Sequence, residues 1–124
     1  MIRVLLVDDQ PAIRQGLRMW LGLEDDLIIV GEAADGPAAL ALAPELQPDV
    51  VLLDVQMPGM DGIDTAHALR AVAPACAVVL LTLHGDTITR SRAAAAGVVV
   101  FVEKHEADVA LVQAIHLAAG TPRA

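Results

Sequence analysis

Val50-Val51-Leu52-Leu53-Asp54-Val55-Gln56-Met57-Pro58-Gly59-Met60-Asp61-Gly62 is the stretch whose reading decides the fold. Its four leading apolar residues, two of them β-branched, are too few for a helix and suit a strand buried on both faces of a parallel sheet. That strand ends on a carboxylate, Asp54. In an open α/β sheet, ligands bind just outside the carboxyl ends of the strands. Met57 to Gly62 carries strong turn signals and closes on Asp-Gly, so the chain leaves the strand abruptly and starts a new element near Asp61. An aspartate held there can serve as a nucleophile or as a metal ligand, and the rest of the chain must decide between them.

Working outward, strand-like apolar runs alternate five times with amphipathic segments. The strands are expected at Ile2–Val7, Leu27–Ala33, Asp49–Asp54, Ala77–Thr82 and Val98–Val102. Asp8-Asp9-Gln10-Pro11 turns into the first helix, with proline at a first helical position. Along Ala12–Leu23, the recurrence of Ile13, Leu17, Trp20 and Leu21 predicts a buried stripe. Asp35-Gly36-Pro37 opens a second helix over Ala38–Leu46, which Pro44 is expected to kink or end early. Gly62–Val72 is the third helix, with Ile63, Ala66, Leu69 and Arg70 in sequence and Pro74 after its end. Asp86 caps a fourth, running to Ala96 and closed by Gly97. Glu106–Ala119 is the fifth, carrying Val109, Leu111, Val112, Ile115 and Leu117 and ended by Gly120. Such a repeat implies a parallel sheet, right-handed crossovers and helices on both faces.

The 124 residues fit one domain, expected over residues 1–119, with residues 120–124 as a tail or the start of a linker. Hydrophobic residues make up 56% of the chain, much of that Ala and Val, yet no apolar run approaches the ~18 residues a membrane helix needs. Asp8-Asp9 interrupts the opening run too early for a signal peptide. The single Cys76 permits no internal disulfide and reads as a small apolar filler. A cytoplasmic protein is expected. The net charge of −8 argues against direct contact with nucleic acid or anionic membranes, because both need a basic face. Action on DNA would require another domain.

At the strand ends the sequence gathers Asp8-Asp9, Asp54, Thr82 and Glu103-Lys104. Crowded carboxylates raise one another's pKa, and a divalent cation removes that cost. Hard oxygen ligands on a partly open site favour Mg²⁺ over zinc or calcium. The four histidines, His67, His84, His105 and His116, show no ligand spacing and read as surface residues. A carboxylate beside Mg²⁺, with a hydroxyl and an ammonium aimed at the same space, suits phosphoryl transfer to the carboxylate.

Val7-Asp8-Asp9-Gln10, then Val51 to Gly62, then Leu80-Leu81-Thr82, then Ala96-Gly97 followed by Phe101-Val102-Glu103-Lys104, resembles the receiver domain of two-component response regulators over residues 2–118. The resemblance implies a doubly wound, five-stranded parallel sheet of order 2-1-3-4-5, the flavodoxin-like receiver fold. By matching position, Asp54 is the implied phosphoacceptor, charged by the phosphohistidine of a sensor histidine kinase. Asp9, Asp54 and the backbone carbonyl of Gln56 are the implied Mg²⁺ ligands, with Asp8 acting largely through water. Thr82 and Lys104 would hold phosphoryl oxygens, and Phe101 would be a switch aromatic that turns inward when Thr82 moves. Such a domain assists its own phosphorylation and dephosphorylation without being an enzyme for a separate substrate. A phosphoryl group adds roughly −1.5 to −2 charges, and the response is a population shift felt on the face of the fourth helix, fifth strand and fifth helix. That face could pair two receivers as a homodimer.

Asp9-Gln10-Pro11-Ala12-Ile13-Arg14-Gln15-Gly16-Leu17-Arg18 and Val30-Gly31-Glu32-Ala33-Ala34-Asp35-Gly36 resemble the NarL/FixJ-type subgroup in particular. Its members usually carry a C-terminal helix-turn-helix domain, so the chain is expected to be a receiver cut at its linker, the alternative being a stand-alone receiver. His105 stands where many relatives have proline and a cis peptide. Without proline the cis form costs about 3 kcal/mol. Gln56 and His84 flank the expected phosphate position, where residues tune phosphoryl loss, and Leu83 narrows access. A haloacid-dehalogenase phosphatase would need an acid where Gln56 stands. A flavin binder would need a glycine- and hydroxyl-rich loop in place of Asp8-Asp9. A pseudo-receiver, a protein-interaction module that is never phosphorylated, is the serious rival, and the acid pair with Asp54, Thr82 and Lys104 argues against it.

Overall fold

The run that ends on Asp54 is the central strand of a parallel sheet. A computed structural model describes residues 1–82, 85–98, 100–103 and 109–120. Its strands are β1 (Ile2–Val7), β2 (Leu27–Ala33), β3 (Val50–Asp54), β4 (Ala77–Thr82) and β5 (Val100–Glu103), in the order β2-β1-β3-β4-β5. Every described pairing is parallel. The helices are α1 (Pro11–Leu21), α2 (Gly36–Leu46), α3 (Gly62–Val72), α4 (Thr87–Ala95) and α5 (Val109–Gly120).

Alternation along the strands builds a core on each side of the sheet. Val4, Leu6, Leu52, Val79 and Leu81 face Leu21 of α1 and Leu111 and Ile115 of α5. Leu5, Val7, Val51, Leu53 and Leu80 face Ala39 and Ala43 of α2, Ile63, Ala66 and Leu69 of α3, and Ala93 of α4. All five residues of β3 are buried, which is why its sequence is an unbroken apolar run up to the carboxyl of Asp54 at its end. Each fully buried leucine contributes roughly 1.5–3 kcal/mol. Among the described residues no helix is long and apolar enough to cross a membrane.

Several expectations are corrected. Pro44 does not end α2, which continues to Leu46 and closes with Gln47 in the left-handed region, its N–H donating to the Ala43 carbonyl at 2.9 Å. Proline costs little there, because only the last turn follows it and Ala39 and Ala43 hold the helix to the sheet. The fifth strand starts at Val100, not Val98. The Val98 N–H is taken by the Ala93 carbonyl at 3.0 Å and that of Gly97 by Ala94 at 3.0 Å, a Schellman closure with Gly97 at φ +83°. Val98 thus serves the helix end and cannot join the ladder. β3 begins one residue late, at Val50, and α5 runs through Gly120.

Among the described side chains, two residues of the expected stripes are exposed. Ile13 is 39% exposed because it lies in the first turn of α1, beside the strand ends, where the stripe runs off the sheet. Leu117 is 64% exposed. It sits about 120° around the helix from Leu111, whereas Ala114, Ile115 and Ala118 share the inward face. Leu83, His84, Lys104, His105, the expected start of the fifth helix at Glu106, and the tail at 121–124 lie outside the described residues.

Candidate functional site

β1 and β3 are neighbours, and their register pairs Val7 with Leu53, so the next residues, Asp8 and Asp54, come side by side at the rim of the sheet. Both ladders continue past the strands. The Asp8 N–H donates to the Ala33 carbonyl at 3.1 Å and the Val55 N–H to the Leu81 carbonyl at 2.9 Å. The acids are therefore anchored by main-chain bonds on both sides of them. Asp8 and Asp54 are each 2% exposed and Asp9 is half-buried. Each of the three offers a carboxylate oxygen, and these oxygens lie within 4.8 Å of one another.

Local turns aim these groups. The Gln10 N–H donates to Asp8 Oδ1 at 2.9 Å and the Gln56 N–H to Asp54 Oδ1 at 3.3 Å. Asp9 Oδ1 is buried without a hydrogen-bond partner among the described residues. An unpaired buried carboxylate oxygen is costly, and in a cluster of hard oxygens it is the group a divalent cation would satisfy. The residues present fit Mg²⁺.

Thr82 ends β4 and is 1% exposed. Asp54 pairs with Leu81, so Thr82 is the next residue on the strand beside the acid, and it pairs in turn with Glu103 of β5. Gln56, whose carbonyl was the expected third ligand, lies in the exposed turn after β3. Phe101 is half-buried against the core of α2, α3 and α4. The structure thus brings together Asp8, Asp9 and Asp54, with Thr82 on the adjoining strand, and sets Phe101 farther out on β5. Lys104 lies outside the described residues.

Sequence reasoning missed the arginines around this site. Arg14 Nη1 donates to the Asp8 carbonyl at 2.5 Å, and its Nε to Glu32 Oε1 at 3.3 Å. Arg18 Nη1 donates to Glu32 Oε2 at 2.5 Å. The available signal was a charge inside strand β2 with two arginines four residues apart on the preceding helix. Arg90 stacks over Phe101 at 4.6 Å from the ring centroid, donates through Nε to the Gly85 carbonyl at 3.0 Å, and lies 3.7 Å from Glu103 Oε2. Glu103 Oε1 in turn accepts from the Gly85 N–H at 3.0 Å.

Asp61 caps α3 by accepting from the Asp64 N–H at 2.8 Å, and Arg92 of α4 reaches its Oδ2 at 3.0 Å. Partial burial pushes this carboxyl up, but the Asp64 N–H and the Arg92 guanidinium together outweigh it and hold the group below the usual range.

A family model described as the response regulator receiver domain matches residues 4–116. The chain is 38% identical over 118 residues to the uncharacterized transcriptional regulatory protein YxjL of Bacillus subtilis (strain 168), covering 95% of this chain and 54% of that one. It is 34% identical over 119 residues to the nitrate/nitrite response regulator protein NarL of Escherichia coli (strain K12), covering 94% and 54%. The chain spans about half the length of these curated relatives. Among solved structures, the signal receiver domain of the putative response regulator NarL from Mycobacterium tuberculosis superposes with a TM-score of 0.82 at 36% identity, covering 93% of this chain and 96% of that one.

Proposed function

The chain belongs to the response regulator receiver domain family, in its NarL-type branch, and from that premise we propose that Asp54 is a phosphoacceptor whose modification switches an output. The observation that carries this reading is the convergence of Asp8, Asp9 and Asp54 oxygens within 4.8 Å at the strand ends. A carboxylate oxygen of Asp54 attacks the phosphorus of the donor, the bond from phosphorus to the donor's leaving group breaks, and that group departs with the electron pair. Asp9, Asp54 and the Gln56 carbonyl would hold Mg²⁺, with Asp8 acting through water. When bound, the ion supplies charge neutralisation at the transferring oxygens. Thr82, buried on the neighbouring strand, donates its hydroxyl to a phosphoryl oxygen, and Lys104 supplies a positive charge to another. Phe101 follows the movement of Thr82 as the switch aromatic.

The physiological donor in this reading is the phosphohistidine of a sensor histidine kinase. The output is transcription through a C-terminal DNA-binding domain beyond this chain, consistent with a net charge of −8 that disfavours direct contact with DNA. Residues 1–119 form the receiver and residues 120–124 begin the linker, in a cytoplasmic protein whose receivers can pair.

Incubation with acetyl phosphate and Mg²⁺ tests this. Intact mass should rise by one phosphoryl group in the wild type and not in Asp54→Asn. A wild type that stays unmodified would identify a protein-interaction module instead, and equal labelling of the variant would move the acceptor elsewhere.

A further inference from the structure

Arg14 is the one described side chain that grips the main chain between the two adjacent acids. Asp8 has its N–H committed to the Ala33 carbonyl at 3.1 Å and its carbonyl to Arg14 Nη1 at 2.5 Å. Asp8 is thus held from β2 through the peptide that precedes it and from α1 through the peptide that leads on to Asp9. Arg14 is only 17% exposed, and Glu32, 25% exposed, holds its Nε, while Arg18 holds the other oxygen of the same carboxylate. The clamp therefore has its own anchor on β2.

We propose that Arg14, braced by Glu32, is a positioning residue for divalent-cation binding: it fixes the Asp8–Asp9 peptide so that the Asp9 carboxylate points into the acidic cluster. This rests on the proposed Mg²⁺-dependent phosphoacceptor reading. The buried Asp9 Oδ1, which finds no hydrogen-bond partner among the described residues, shows what the clamp achieves. With no hydrogen bond from the described residues to hold that oxygen, the backbone behind it is what sets its direction in this proposal.

An electrostatic role makes the opposite prediction for one of two substitutions. Removing the Arg14 charge would draw a cation closer, whereas removing the Glu32 charge would weaken its attraction. If the two residues act by position, both substitutions weaken binding. Groups behind a metal ligand commonly alter affinity by about 10- to 100-fold, and one acting through a peptide belongs near the lower figure.

The test is an Mg²⁺ titration of the amide resonances of Asp9 and Asp54 in the wild type, Arg14→Met, Arg14→Lys and Glu32→Gln, with thermal melts to verify folding. Expected are a rise of about tenfold in Kd for Arg14→Met, a smaller rise for Glu32→Gln, and partial recovery in Arg14→Lys. Acetyl phosphate labelling should show the same shift in the Mg²⁺ needed for half-maximal rate, with the saturated rate near wild type. Tighter binding in Arg14→Met, or a Kd unchanged in both Arg14→Met and Glu32→Gln, overturns the inference and leaves the phosphoacceptor reading standing. Should Arg14→Met not fold, Arg14→Lys decides: it keeps the charge but not the paired Nη1 and Nε grip, so weaker Mg²⁺ binding supports the inference and an unchanged Kd overturns it. A wild type that binds no Mg²⁺ overturns both.

Discussion

Gly62 is packed against the main-chain carbonyl of Asp54: a Cβ built on it would overlap that oxygen, and its own N–H donates to the Val55 carbonyl at 2.9 Å. The start of α3 is thus pressed onto the end of β3, with no room for a side chain between them. Gly62→Ala must push apart two backbone segments that are both tied into the core. Forcing an extra methyl into a packed site typically costs 1–3 kcal/mol, and backbone contact belongs at the upper end, about 2–3 kcal/mol. Urea unfolding of the variant measures it. A loss below about 0.5 kcal/mol, the level of an ordinary surface change, would mean that α3 can slide freely away from Asp54.

Arg92 links α4 to the first turn of α3 through Asp61 at 3.0 Å and Asp64 at 3.6 Å. Burial works against the Asp61 charge, but the Asp64 N–H and Arg92 prevail and lower its pKa. The folded carboxyl is then more acidic than the unfolded one. Its contribution is complete above the unfolded value, about 3.9, and disappears as pH falls through the folded value. Screening at this partly exposed site keeps the contribution to about 0.5 kcal/mol. Asp61→Asn retains a capping oxygen but loses the charge. Its stability gap from wild type should be constant from pH 7 to about 5, begin to narrow near the unfolded value of about 4, and close as pH falls through the lower folded value. A gap that keeps its full neutral-pH size as the carboxyl is titrated to completion in strong acid would assign the effect to capping alone.

The strand ends were legible because burial on both faces forces an unbroken apolar run, and a charge at its end has nowhere to go but the rim. For that reason Asp8, Asp9, Asp54 and Thr82 could be placed at one edge from residue types alone. The start of β5 was hidden because Val98 is as β-prone as its neighbours, and only the helix-closing bond to Ala93 takes it out of the sheet. Arg14 and Glu32 escaped notice for a different reason. Each looks like an ordinary solvated charge on its own element, and their meeting depends on how α1 crosses β2, which no local pattern encodes.

The two faces of α5 allow a direct comparison. Leu111 is fully buried against β4 and β5 neighbours in the core, and Leu117 is 64% exposed. Leu111→Ala should cost about 2–5 kcal/mol as a cavity in a packed core. Leu117→Ala should stay within about 0.5 kcal/mol. Chemical denaturation of both variants checks this, and a large loss at Leu117 would reveal a contact that covers this face in solution, such as a second receiver.

Arg90 of α4 reaches two segments at once, β5 through the Phe101 ring and the Glu103 carboxylate and the approach to its own helix through the Gly85 carbonyl. A cation over an aromatic face at an exposed site contributes about 0.5–1 kcal/mol. If Phe101 must leave this position when Thr82 shifts toward a phosphoryl oxygen, the contact stabilises only the unmodified arrangement. Removing a contact made in one state moves a two-state equilibrium by the value of that contact. Arg90→Met should therefore lower the melting temperature slightly and raise the initial rate of Asp54 labelling by acetyl phosphate about two- to fivefold, the equivalent of 0.5–1 kcal/mol. Phe101→Leu should abolish the effect of Arg90→Met on the labelling rate, because the partner ring is already gone, while the contacts to Gly85 and Glu103 keep part of the effect on melting temperature. Unchanged labelling in Arg90→Met would show that Phe101 stays under the guanidinium in both states, and slower labelling would place Arg90 on the side of the phosphorylated form.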